Sequence, residues 1–436
     1  MSNKNVNIDV HHVTRVEGHG NIYVNVKQGL LERCEWNVPE APRFFEAMVV
    51  GRQYSELHHI TSRICGICSI GHSLASLKAT EAAMGIPISE QDLKLRKLAI
   101  HAENIQSHVL HLGYLVLPDL LGVGSVIPLA SSNPDEVKTV IRLHRTANEM
   151  SNLICGRTTH PQRLIPGGFS KIPSIKELTD LKKKLKDSVP DLLIVANLVK
   201  SLAGKLPDFT RETEYIALTD DKEYALYDGQ MCSTDTGKAP VNEYLTYTNE
   251  YITPKSTAKW AKHARDSYMV GALARLNINY DKLSPMAKDV AKMFGLKPIN
   301  YNPFMNSIAQ LVETVHSVED SIKLLAELEA SGLQSQSEYN KPNIQVKAGR
   351  GVGAVEVPRG ILFHDYTYNA KGVCTKANCI IPTNQNHGNI ELDLKALVPK
   401  LLDKTEKEIE LNLEMLVRAY DPCISCSTHA VQVHFV

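Results

Sequence analysis

Arg63-Ile64-Cys65-Gly66-Ile67-Cys68 near one end of the chain and Asp421-Pro422-Cys423-Ile424-Ser425-Cys426 near the other decide how the fold is read. Each is a Cys-x-x-Cys pair, and each is followed by a histidine, His72 and His429. Two intervening residues let both thiolates of a pair face one metal centre without backbone strain. Four thiolates form a soft ligand set suited to nickel, zinc or iron. A closed zinc site is the plain alternative, although the pairs of a zinc ribbon lie within about 20 residues of each other. A dithiol redox pair is another. On residues and spacing alone these readings stay open.

Working outward, the length of 436 residues suits two or three domains. Cysteine pairs at both ends argue instead for one interwoven unit over 1–436. The 48 basic and 48 acidic residues balance, which points away from nucleic acid and from anionic membrane surfaces. No apolar run reaches the roughly 20 residues of a membrane span. Residues Met1 to Asp9 are polar and lack a secretory core, so a cytoplasmic location is expected. Of nine cysteines, Cys34, Cys155, Cys232, Cys374 and Cys379 show no metal-like spacing. They read as free, buried thiols. An iron–sulfur cluster would need further ligands at short spacing, and this chain offers none.

Alternation at 6–10 and 21–26 predicts a hairpin with Gly18-His19-Gly20 in its turn region. A short helix begins at Arg43-Phe44-Phe45-Glu46. Helices are predicted over 72–84, closed by Gly85, and from Ser89 to about Val116, stopped by Pro118. Asn133-Pro134 caps the next helix, which Gly156 stops. Residues 174–203 read as helix broken at Pro190, and Ser256–Arg275 and Ser307–Ala330 as helices. Strands are expected at 213–228, 241–248, 344–347, 354–357, 362–368 and 379–381, and a polar loop at 333–342. Gly349 to Gly353 lacks the Lys-Ser/Thr ending of a phosphate loop. Thr405 to Glu408 is a capping box for the final helix, to about Arg418. His101, His108 and His111 read as buried or interface histidines, because no carboxylate completes a metal set with them.

Five motifs in order resemble the large subunit of nickel–iron hydrogenases. They are Thr14-Arg15-Val16-Glu17-Gly18-His19, the Arg63 to His72 stretch, Gly271-Ala272-Leu273-Ala274-Arg275, Glu356-Val357-Pro358-Arg359-Gly360, and Asp421 to His429. The resemblance implies that family's fold: α+β and predominantly α, a long helical bundle with strand regions near both ends. It implies reversible heterolytic cleavage of dihydrogen. Cys65 and Cys423 would be terminal on nickel; Cys68 and Cys426 would bridge to an iron carrying carbon monoxide and cyanide. A proton would pass to Cys423 and out through Glu17. Arg359, following Pro358, would hang over the open side of the metal pair, with Asp421 shaping its surroundings. Thr383 would donate to a cyanide, and His72 would sit beside the cluster without ligating it. A magnesium or similar divalent ion would involve Glu46, the Cys379 carbonyl and His429. An Asp of many family members is replaced where Asn104 aligns.

The resemblance also implies partners: a small subunit carrying iron–sulfur clusters, diaphorase-like electron-transfer subunits, and a maturation protease that cuts after His429, making 430–436 a maturation tail. The Asp-Pro-Cys-Ile-Ser-Cys ending is closest to cytoplasmic multi-subunit enzymes that feed NAD(P) or another soluble carrier. Two alternatives remain: a methanogen-type subunit feeding a deazaflavin or disulfide reductase, and a respiratory-complex-like scaffold without the cluster.

Overall fold

The computed structural model describes residues 4–334, 336–339 and 343–429. The expected tail 430–436 and part of the expected loop 333–342 lie outside the described residues. The predicted hairpin forms: Val6–Val10 pairs antiparallel with Asn21–Lys27, Val6 opposite Val26. A third strand, Leu30–Asn37, completes that sheet. Four long helices, Glu90–Leu110, Pro134–Cys155, Ile175–Leu202 and Met305–Ser331, pack on one another as the helical core. Their N-caps follow local chemistry. Ser89 accepts from the Asp92 N–H, and Ser174 forms a full capping box with Glu177.

The helix Ser69–Met84, which carries the first cysteine pair at its entry, lies on the sheet of Gly349–Val357, Gly360–Tyr368 and Cys374–Ile380. Glycine allows that contact. A Cβ at Gly349, Gly351 or Gly353 would stand 2.2 Å from the carbonyl oxygen of Ala83, Ala79 or Ala75 in turn. The three alternate along one face of the strand, so Gly349 to Gly353 is a packing stripe against a helix of small residues.

Several expectations are corrected. Pro118 does not stop its helix. Residues His111–Val116 form a π-helical turn, and Leu117–Leu121 continues with Pro118 in its first turn, where no N–H is needed, until Gly122 caps it. Pro190 does not break Ile175–Leu202, because the buried face of Leu178, Leu181, Leu185, Leu192 and Val199 holds it in the bundle. Residues 256–275 are mostly not helix. Trp260–Lys262 pairs with Asn249–Tyr251, Tyr268–Met269 pairs parallel with Glu214–Thr219, and only Ala272–Asn279 is helical. Non-local pairing there outweighs local propensity. Residues 241–248 form a 3₁₀ turn and the short helix Tyr244–Tyr247, and 344–347 is not a strand. A further sheet thus occupies the middle third of the chain. Among the described residues, no helix is long and apolar enough to cross a membrane.

Candidate metal centre

The two cysteine pairs meet. Cys65 and Cys423, 358 positions apart, bring their sulfurs within 3.5 Å. The sulfurs of Cys65, Cys423 and Cys426 lie within 4.8 Å of one another, as do those of Cys68 and Cys426 with a ring nitrogen of His72. All four cysteines are buried. Among the described residues, these are the groups of three or more that could hold a metal ion.

The convergence has a backbone cause. Glu17 bridges Cys423 in parallel register, and Arg43 bridges His429 likewise. The Ile424 N–H donates to the Glu17 carbonyl at 2.9 Å, and the Arg43 N–H to the Thr428 carbonyl at 2.5 Å. Gly18, at φ +86°, permits the approach; a Cβ there would stand 2.7 Å from the Ile424 side chain. The Arg43 guanidinium ties the two cysteine segments together, donating to the carbonyls of Arg63, Ile64 and Ser425. Glu40 accepts from the His19 N–H and the Ser425 hydroxyl.

Cys68 caps the helix Ser69–Met84. The Cys65 sulfur accepts from the N–H groups of Ile67 and Cys68, at 3.2 and 3.4 Å. Hydrogen bonds from Cys423, Cys426 and Cys68 outweigh burial and hold the Cys65 thiol well below its ordinary range. Bonds from Cys423 and Cys426 favour the Cys68 thiolate too, but the bond to Cys65 and burial push it up to about 11. Burial raises Cys423 and Cys426. Bringing four such thiolates together demands a cation among them. A buried cluster of four sulfurs therefore fits a soft metal centre of the nickel–iron kind.

The other expected site residues gather around it. The Cys423 thiol donates to Glu17 at 3.2 Å, and the Cys423 N–H to the Thr383 hydroxyl oxygen at 3.0 Å. Arg359, in the turn after Pro358 between two strands, donates to the Asp421 carbonyl and, at 2.7 Å, to its carboxylate. Its Nη1 is buried without a partner. Asp421 has a left-handed backbone, φ +51°; its carboxylate also accepts from Gln310. Glu46 accepts from the Cys379 N–H at 2.9 Å. His429 is buried with both ring nitrogens unpartnered. Asn104 is buried with its amide unpaired.

One neighbour, Glu103, lay outside the motifs, and another, Arg275, lay within one but was assigned no role. Glu103 accepts from the Ile70 and Gly71 N–H groups at the start of the cysteine-bearing helix, and burial pushes it up to about 8. Arg275 is wholly buried; it grips Glu313 and Glu356 and donates to the carbonyls of Val357 and Pro358, beneath the Arg359 turn. The helix histidines are buried, as expected, and each finds its own polar partner. Glu313 meets His108 and Asp320 meets His101, while His111 bonds Gln310. These are separate buried pairs and do not converge on one ion. Spacing within one helix could not reveal partners contributed by another.

The family model described as "Nickel-dependent hydrogenase" matches residues 43–142 and 205–429. The sulfhydrogenase 1 subunit alpha of Pyrococcus furiosus is 31% identical over 99% of this chain and 100% of its own length. The NAD-reducing hydrogenase HoxS subunit beta of Cupriavidus necator is 28% identical over 96% of this chain and 94% of its own. The crystal structure of an NAD⁺-reducing [NiFe]-hydrogenase in the H₂-reduced state superposes with a TM-score of 0.87 at 26% identity, covering 97% of this chain and 99% of that one. With four buried sulfurs where such a centre must sit, the chain belongs to the nickel-dependent hydrogenase family, in the place of the large, catalytic subunit.

Proposed function

We propose that Cys65, Cys68, Cys423 and Cys426 hold a nickel–iron centre bearing carbon monoxide and cyanide, with Cys68 and Cys426 bridging the two metals and Cys65 and Cys423 terminal on nickel. The observation that carries this reading is the 3.5 Å approach of Cys65 to Cys423. When bound, the centre supplies the redox chemistry that splits dihydrogen. The chain's residues handle the proton. The Cys423 sulfur is the base nearest Glu17, so it takes the proton and the Glu17 carboxylate carries it away. Arg359 is charged at any working pH and is fixed by Asp421 on one side. Its unpaired Nη1 is left to polarise substrate or to bond a cyanide above Pro358. Thr383 accepts from the Cys423 N–H, which leaves its hydroxyl proton for a second cyanide.

A magnesium or similar divalent ion belongs beside Glu46, the Cys379 carbonyl and His429. Support comes from the unpartnered, buried His429 ring next to a carboxylate-bearing segment. Electrons leave through a small subunit carrying iron–sulfur clusters. Diaphorase-like subunits then pass them to NAD(P) or a similar soluble carrier in the cytoplasm. The relatives named as sulfhydrogenase and NAD-reducing subunits support this. A maturation protease removes 430–436, so the mass of mature enzyme should end at His429.

Metal analysis and infrared spectroscopy of the purified complex test the centre. Nickel with iron, together with carbon monoxide and cyanide stretching bands, is the expected result. Zinc alone would overturn it.

A further inference from the structure

His72, His364 and Tyr366 form a buried row leading away from the cysteine cluster. The His72 ring lies within 4.8 Å of the Cys68 and Cys426 sulfurs. Its Nδ1 is hydrogen-bonded to His364 Nε2 at 3.2 Å. On the far side, His364 Nδ1 meets the Tyr366 hydroxyl at 2.5 Å. His72 Nε2 is buried and has no protein partner. His364 and Tyr366 project from one face of the strand Gly360–Tyr368, and His72 from the helix packed on it. His72 and His364 are 0% exposed, as is Tyr366.

A nitrogen-to-nitrogen hydrogen bond needs one donor and one acceptor, so the proton positions along the row are linked. Two polarities exist. In one, the phenol donates to His364 Nδ1, His364 Nε2–H donates to His72 Nδ1, and His72 keeps its proton on Nε2. In the other every proton is reversed, and His72 Nε2 presents a lone pair. Cys68 and Cys426 are thiolates whenever they ligate metal. A lone pair beside two thiolates is repelled, whereas an N–H is attracted. At the other end, the phenol hydrogen is a good donor, and the imidazole nitrogen is a far better acceptor than the Cys379 thiol that also neighbours Tyr366.

We propose that Tyr366, acting through His364, is a positioning residue that fixes the tautomer of His72, so that the imidazole offers an Nε2–H to the metal-bridging sulfurs. The proposal rests on the reading of Cys68 and Cys426 as those bridging ligands. An N–H on a bridging sulfur withdraws electron density from the iron behind it. Loss of that bond makes the sulfur a stronger donor and lowers the stretching frequencies of carbon monoxide and cyanide on iron.

The test is infrared spectroscopy on the purified complex, with nickel and iron measured on the same samples. In Tyr366→Phe the bands should move to lower wavenumber. In the double variant Tyr366→Phe/His364→Gln they should return toward wild type, because the glutamine amide donates to His72 Nδ1 without help from a phenol. Bands of metal-loaded Tyr366→Phe that coincide with wild type would overturn the proposal, as would an unrelieved shift in the double variant. If Tyr366→Phe fails to load metal, His364→Gln and His364→Leu carry the same comparison. Glutamine should keep the bands in place and leucine lower them; unmoved bands in the leucine variant would overturn the idea. Absence of these bands from the wild type would count against the metal centre itself, a separate failure.

Discussion

The Cys423 sulfur and the Glu17 carboxylate stand 3.2 Å apart, and the bond from the Ile424 N–H to the Glu17 carbonyl keeps them so. The contact is thus part of the backbone pairing that brings the second cysteine segment home. Glu17→Gln preserves shape and hydrogen bonding but cannot carry a proton. Nickel and iron content should stay at wild-type level. Hydrogen turnover and H₂/D⁺ exchange should fall by about 100-fold or more. Wild-type exchange in that variant would remove Glu17 from the route.

Arg275 is the buried counter-charge for two carboxylates, all three side chains having no solvent exposure. Burial acts to raise Glu313, yet Arg275 and His108 hold it well below the ordinary carboxylate range. Arg275→Met strands that charge and frees the carbonyls beneath the Arg359 turn. A loss of about 3–5 kcal/mol in unfolding free energy is expected, read by denaturant titration. In the variant burial is opposed by His108 without Arg275, so the folded-state value of Glu313 should rise, while in the unfolded chain it ionises above its ordinary value of 4.5. The deficit should therefore widen as pH rises above that value.

Gly353→Ala places a methyl group 2.2 Å from the Ala75 carbonyl oxygen. Backbone stands on both sides, so neither can step aside cheaply. A destabilisation of about 3 kcal/mol is expected, with a drop in melting temperature and in metal retained. Gly122→Ala, where no atom lies within 4 Å of the new Cβ, meets no such clash. It should cost only the strain of its left-handed backbone, about 1–2 kcal/mol.

Three further buried histidines set an acid limit, one of which, His387, is hydrogen-bonded to Ser427 beside Cys426. Burial pushes His58 down to about 3, His316 to about 4 and His387 to about 3. Below 6.5 the unfolded chain binds protons at these rings while the folded chain does not. Stability is therefore full above pH 6.5 and falls as pH drops toward 4. At pH 5 each ring costs about 2 kcal/mol relative to neutral pH. Denaturant midpoints measured from pH 7 to pH 4.5 should show the decline, and His387→Gln should flatten it.

The sequence was most informative where a signal is local. Asn133, Pro134 and Gly156 delimit their helix as expected, and Thr405 with Glu408 closes a complete capping box. The hairpin of 6–10 and 21–26 followed from alternation. The cysteine pairs were visible because their ligand spacing is itself local, and the motif order then implied the centre. Legibility ended where partners are distant. Nothing near His364 announces His72, and nothing near Glu313 announces Arg275. The segment 256–275 has helix-compatible composition, yet its strands are chosen by Tyr251 and Tyr215 elsewhere in the chain. The expected stop at Pro190 failed for a related reason, since a missing N–H weighs less than a buried apolar face; Pro118 sits in a first turn, where no N–H is required.

A span of 358 positions separates the Cys65 and Cys423 sulfurs. Closing such a loop is entropically slow and depends on everything folded in between. The metal cage consequently behaves as a gauge of the entire polypeptide. Damage to a remote helix or an edge glycine registers as leaked nickel before any cysteine has been touched, and a sample that keeps its ion has thereby certified the condition of the architecture far from it.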